Sequence, residues 1–227
     1  MDGTNGSLQL VLQRDEIELA GYAEQATIGD LITALERMRL RPGLATVGCA
    51  GCGLCCRDRV PVLGADLPRL ERALGLSRER LLRDHLELPE PPDASERAAR
   101  IADLARQFDA SPAEATLLYE WNTGEPIVPR QGDDGFCHWL RDRRCSVYPG
   151  RPLICSFYLC NFGDRLSALF DAIVRQGVWH SYVAVGWIES GVVAHNPFLS
   201  VGDPTRAPLG AFDIDVAPLL QRMADTW

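Results

Sequence analysis

The sequence predicts a mostly helical α+β fold with small β-hairpins, organised around a cysteine-rich metal- or cluster-binding core that carries a helical insert. Three observations lead there. Capped amphipathic stretches recur along the chain, strand-like alternation is confined to short segments, and the eight cysteines fall into two groups with helical stretches between them.

Residues 8–22 alternate around Arg14-Asp15 and read as a hairpin. From Thr27, TIGDLITALERMRL places Ile28, Leu31, Leu35 and Met38 on one helical face, and Pro42-Gly43 stops it. VGCAGCGLCCRDRV follows, glycine-punctuated and too tight for regular structure. Asp66 reads as the N-cap of a helix that Gly75 closes, and Ser77 starts another that reaches about Leu86. The proline-rich run LPEPPDAS, residues 88–95, reads as a linker. A helix over 95–108 comes next, and Ser111-Pro112-Ala113-Glu114 is a capping box opening a helix to about Trp121. Residues 166–175 read as a helix, 178–188 and 192–195 as a hairpin around Glu189-Ser190-Gly191, and 214–223 as a terminal helix. The expected organisation is an N-terminal hairpin and helix extension (1–44), a cysteine domain (45–162) with its insert at about 64–122, and a C-terminal helix and hairpin extension (163–227) packed on it.

With 46% hydrophobic and 24% charged residues in 227, the chain can bury a core without crosslinks. A net charge of −8 argues against non-specific nucleic-acid binding, which relies on neutralising phosphates. All 23 basic residues are arginine, which excludes Schiff-base or Walker lysine chemistry. The N-terminus lacks a basic stretch followed by an apolar one, and no run approaches the ~18 apolar residues of a membrane span. The expectation is a cytoplasmic protein with no membrane association. In a reducing compartment, eight cysteines point to metal ligation or redox chemistry, with a disulfide framework as the alternative.

The first group reads Cys49-Ala-Gly-Cys52-Gly-Leu-Cys55-Cys56. Three-residue spacing in a loop with Gly48, Gly51 and Gly53 lets successive thiolates converge on one centre, as at the start of a bacterial ferredoxin run. Adjacent Cys55 and Cys56 point in different directions in most backbones, so Cys56 serves either a second metal or as a reactive or supporting thiol. The second group comprises Cys137, Cys145, Cys155 and Cys160. Arg141, Arg143, Arg144 and Arg151 outnumber Asp142 there, and Arg57 and Arg59 flank the first group. Guanidinium groups near a thiolate site lower thiol pKa and offset its negative charge. Cys160 alone reads equally well as a small buried hydrophobe.

The segment CAGCGLCC, followed by FCHWL, CSVY and RPLIC, resembles the CxxCxxCC (YkgJ-type) family of zinc- or iron-chelating domains over residues 45–162. The resemblance implies Cys49, Cys52, Cys55, Cys56, Cys137 before a C-x-x-L leucine, Cys145 before Val-Tyr, and Cys155 after Arg151-Pro152 as the cysteines of the site, with Cys160 outside the diagnostic pattern. Flagellin lysine N-methylase is similar in carrying such a module. That implies an S-adenosylmethionine-dependent protein lysine N-methylase as one reading, although no glycine-rich nucleotide motif marks a pocket for that cofactor.

His138 reads first as a solvent-facing or hydrogen-bonded imidazole and second as a ligand replacing a cysteine. His180 and His195 read as structural. Trp139, Trp179, Trp187, Tyr148, Phe157 and Tyr158 read as core or as shielding of the site, and Asp133-Asp134-Gly135 as a solvated turn. The expectation is a metal-binding protein holding an iron–sulfur cluster, or a zinc or iron ion, in eight cysteines for redox or cluster-assisted modification of a protein partner. The rival is a zinc-stapled, non-catalytic interaction module.

Overall fold

A computed structural model describes residues 8–13, 16–39, 54–142, 144–157 and 162–212, with all their side chains except those of Arg39, Leu54, Cys55 and Phe157. The expected turn at Arg14-Asp15, the stop at Pro42-Gly43 and the terminal helix at 214–223 lie outside the described residues.

Strand β1 (Leu8–Gln13) pairs antiparallel with β2 (Glu16–Tyr22), with Leu12 opposite Ile17 and a register shift at Gln9/Leu10. Alternation does what it predicts: Leu8, Leu10, Ile17 and Leu19 are buried on one face. Helix α1 (Ile28–Arg39) buries Ile28, Leu31, Leu35 and Met38 against that face. Its start is closed by Thr27 and Asp30, since Thr27 N–H donates to Asp30 Oδ2 at 2.9 Å and Asp30 N–H to Thr27 Oγ1 at 3.3 Å. The cysteine segment that was expected to be irregular holds a one-turn helix, α2 (Leu54–Arg57).

Helix α3 (Leu67–Leu74) ends at Gly75, whose φ of 64° is the left-handed stop that glycine adopts without strain. Ser77 caps α4 (Arg78–His85), which leads directly into β3 (Leu86–Glu87). After residues 88–93, Asp93 caps α5 (Ala94–Gln107), and the expected Ser111–Glu114 capping box opens α6 (Pro112–Asn122). Strand β4 (Val128–Pro129) returns to pair with β3. Strands β5 (Leu140–Arg141) and β6 (Arg144–Cys145) form a second minimal hairpin, and α7 (Leu153–Phe157) follows.

The main correction concerns the C-terminal region. Helix α8 runs from Asp164 to Ala184, so residues 178–184 are helix rather than strand. The turn expected at Glu189-Ser190-Gly191 is the start of a 3₁₀ turn, Ser190–Val193, in place of a hairpin. Gln176, Gly177, Val178, Trp179, Ser181 and Tyr182 are all buried. A helix enclosed on nearly every side loses its 3.6-residue hydrophobic period, and its run of valines and aromatics then imitates a buried strand. The enclosure comes partly from the 3₁₀ turn Gly64–Asp66, which lies so close that a Cβ on Gly64 would stand 2.6 Å from the His180 carbonyl oxygen.

A main apolar cluster joins β1, β2, α1, α7 and α8, and a second gathers Val62, Leu67, Leu70, Leu81, Leu86, Ile127, Trp139 and Val147. The fold is α+β, mostly helical, with two-stranded antiparallel sheets. No helix among the described residues is long and apolar enough to cross a membrane.

Candidate metal centre

The two cysteine groups meet through the backbone. The Cys137 N–H donates to the Cys56 carbonyl at 2.5 Å, which ties α2 to the loop that opens the second group. Two side-chain contacts brace the junction: Gln131 Nε2 donates to the Arg57 carbonyl at 2.9 Å, and the Arg57 guanidinium lies 4.6 Å over the Phe136 ring. Residues 131–137 form a tight loop in which Gly132 N–H donates to the Phe136 carbonyl at 2.7 Å. Asp133 and Asp134 are exposed on it, as a solvated turn should be.

Cys137 and Cys145 are brought together by the minimal hairpin. Leu140 N–H donates to the Cys137 carbonyl at 2.8 Å, and Leu140 then pairs opposite Cys145. Asp142, with φ 48°, takes the left-handed position in the turn, a conformation that Asp tolerates better than most residues. Both cysteines are half-buried and pack on the second cluster beside Trp139.

Cys155 sits in α7, half-buried against the main cluster. The start of α7 is held by Asp66, which was expected to cap its own helix. No such cap bond forms. Instead Asp66 Oδ1 accepts from Leu153 N–H at 2.9 Å and Oδ2 from Leu63 N–H at 3.0 Å, so one buried carboxyl links two distant segments. Burial pushes its pKa up to about 7, against the opposing pull of those two N–H groups and of Arg69.

Arg151 does not face a cysteine charge alone. It is buried, donates to Ser156 Oγ at 3.2 Å, pairs with Glu36 at 3.5 Å and stacks 4.0 Å over the half-exposed Tyr148. Arg59 pairs with Glu87. Exposed Arg57, Arg141 and Arg144 remain as the nearby cations that could offset thiolate charge.

His138 is half-buried, and its Nε2 is buried without a hydrogen-bond partner. Burial first, then the neighbouring His85 and the charges of Arg141 and Arg130, push its pKa down to about 4. Its ring lies 4.9 Å from that of His85, which in turn accepts from Trp139 Nε1 at 3.3 Å. His85 carries no signal in the sequence, since it reaches this place from the end of α4. His195 pairs with Glu120 at 2.9 Å, and His180 stacks on Phe198. Trp139 and Trp179 are core.

The described donors fit a borderline-soft ion: half-buried thiols at Cys56, Cys137, Cys145 and Cys155, and an imidazole nitrogen with no hydrogen-bond partner. Cys49, Cys52, Cys160 and the Cys55 side chain lie outside the described residues. Among the described residues alone, no three Cys, His, Asp or Glu side chains are already gathered as a ligand set.

Two cysteine-bearing segments strapped at the backbone, one of them on a minimal hairpin, define a chelating domain that holds a metal ion. The chain belongs to the CxxCxxCC family, described as a "putative zinc- or iron-chelating domain", which matches residues 48–169, more than half of the chain. No curated protein and no solved structure matches it.

Proposed function

We propose that this chain holds an iron–sulfur cluster between its two cysteine segments, and that the loaded protein carries out redox or cluster-assisted modification of a protein partner in the cytoplasm. The observation that supports the reading is the Cys137-to-Cys56 backbone bond, which holds Cys56 against the first residue of the second cysteine group. Cys49, Cys52, Cys55, Cys137, Cys145 and Cys155 are the principal ligands, Cys56 serves a second centre or stands in reserve, and Cys160 is the weakest member. The preference for a cluster over a single ion comes from the three-residue spacing of Cys49, Cys52 and Cys55. The partner would meet the helical insert, because α5 buries none of its own residues and so offers most of its surface.

Zinc held as a structural staple is the second reading, favoured by the presence of imidazole beside thiols. Anaerobic purification separates the two. A brown protein absorbing near ~400 nm, with iron and sulfide in stoichiometric amounts, supports the cluster. A colourless protein with one tightly bound zinc ion sinks it in favour of the staple.

A further inference from the structure

A histidine ligates a metal through a deprotonated ring nitrogen, while its other nitrogen donates to a carbonyl or carboxylate that fixes tautomer and orientation. His138 has such a free nitrogen, on a ring that lies 4.9 Å from the ring of His85. Its Nε2 is buried with no hydrogen-bond partner. A buried polar atom in that condition is unfavourable unless a ligand satisfies it.

The backbone fixes this residue among the cysteines. His138 N–H donates to the Arg130 carbonyl at 2.9 Å, Cys137 before it is bonded to Cys56, and the turn beyond it closes on Cys145. The other histidines differ. His195 is committed to Glu120 and His85 Nδ1 to Trp139, while His180, whose Nδ1 is also buried and unpartnered, lies on α8 against Phe198.

We propose that His138 Nε2 is a nitrogen ligand of the metal centre, making its donor set mixed cysteine and histidine. The inference rests on the metal-binding reading above. A mixed set suits zinc or iron, and in an iron–sulfur centre exchanging thiolate for imidazole raises the reduction potential.

X-ray absorption at the metal edge of the full chain, loaded with zinc or reconstituted with iron and sulfide, tests it. The expected wild-type spectrum contains the outer-shell scattering of an imidazole. His138→Gln should lose that signal, with metal affinity falling roughly tenfold or more. A sulfur-only shell around stoichiometric metal overturns the inference and leaves metal binding standing. So does an imidazole signal that survives in His138→Gln. Wild-type protein that takes up no metal overturns both. Should His138→Gln fail to fold, a chain carrying His85→Gln, His180→Gln and His195→Gln reads the same question in reverse, because its one remaining imidazole must keep the signal.

Discussion

Strands β1 and β2 with helices α1 and α8 enclose a continuous set of buried leucines, isoleucines and alanines, whereas among the described residues between Gln131 and Phe157 the longest regular element is the five-residue α7. The first region is ordered by apolar burial, which needs nothing from outside the chain. The second adds Trp139, Val147, Leu153 and Ile154 to the apolar clusters, but its own regular structure amounts to two-residue strands and single hydrogen bonds, such as those from Cys137 to Cys56 and from Ser146 to the Trp139 carbonyl. Elements that short are marginal alone, so metal binding there would act as folding energy. On this division the apolar scaffold should hold without metal, and residues 131–157 should be the part that metal binding stabilises.

Substitutions can break this division or sharpen it. The largest expected effect is Glu120→Ala, on the scaffold side. Glu120 is 2% exposed and pairs with Arg97 at 3.0 Å and His195 at 2.9 Å, so its removal leaves a largely enclosed guanidinium without its ion pair. Urea unfolding should show a loss of about 3–5 kcal/mol, with metal content per folded chain unchanged. Next comes metal removal. Chelation should speed amide exchange in residues 131–157 by roughly a hundredfold, about 2.7 kcal/mol, and leave β1, β2, α1 and α8 protected. Equal loss of protection in both regions would refute the division.

Gly64→Ala should cost about 1–3 kcal/mol in thermal or urea unfolding, because the new methyl meets His180 and Ala184 on a helix that has no room to move. Metal content should again stay the same. Asp66 joins the two regions and gives the pH dependence. Its pKa is raised from 3.8 to about 7, so the native state binds this proton more tightly than the unfolded chain. Its contribution is fully present below about pH 4 and is lost as pH rises towards 7. Unfolding measured at pH 5 and pH 7.5 should show a downward step that Asp66→Asn abolishes, and the same substitution should lower metal uptake by loosening α7. Smallest is Ser111→Ala, which removes the α6 cap for about 1 kcal/mol by the same unfolding measurement and leaves the cysteine region untouched.

Local physics was readable and long-range physics was not. Gly75, Ser77 and Ser111 mark helix ends through bonds made within three or four residues, which is why the ends of α3, α4 and α6 could be placed from the sequence. The second half of α8 was misread because its amphipathic period vanishes under burial on several sides. Asp66 and Leu153 are 87 residues apart, and His85 and Trp139 are 54 apart, so neither pairing leaves a trace in local composition. The cysteine spacing announced chelation, and the hairpin that gathers Cys137 with Cys145 could not be seen in a stretch of arginines.

The strap between Cys137 and Cys56 uses main-chain atoms on both sides. Alignment of the two segments is therefore independent of the side chains they carry. Exchanging a sulfur donor for an oxygen or nitrogen one would change which ion is preferred without shifting the register of the chain. A lineage, or a designer, can retune the chemistry of such a centre one residue at a time, because the frame and the ligands are separately inherited.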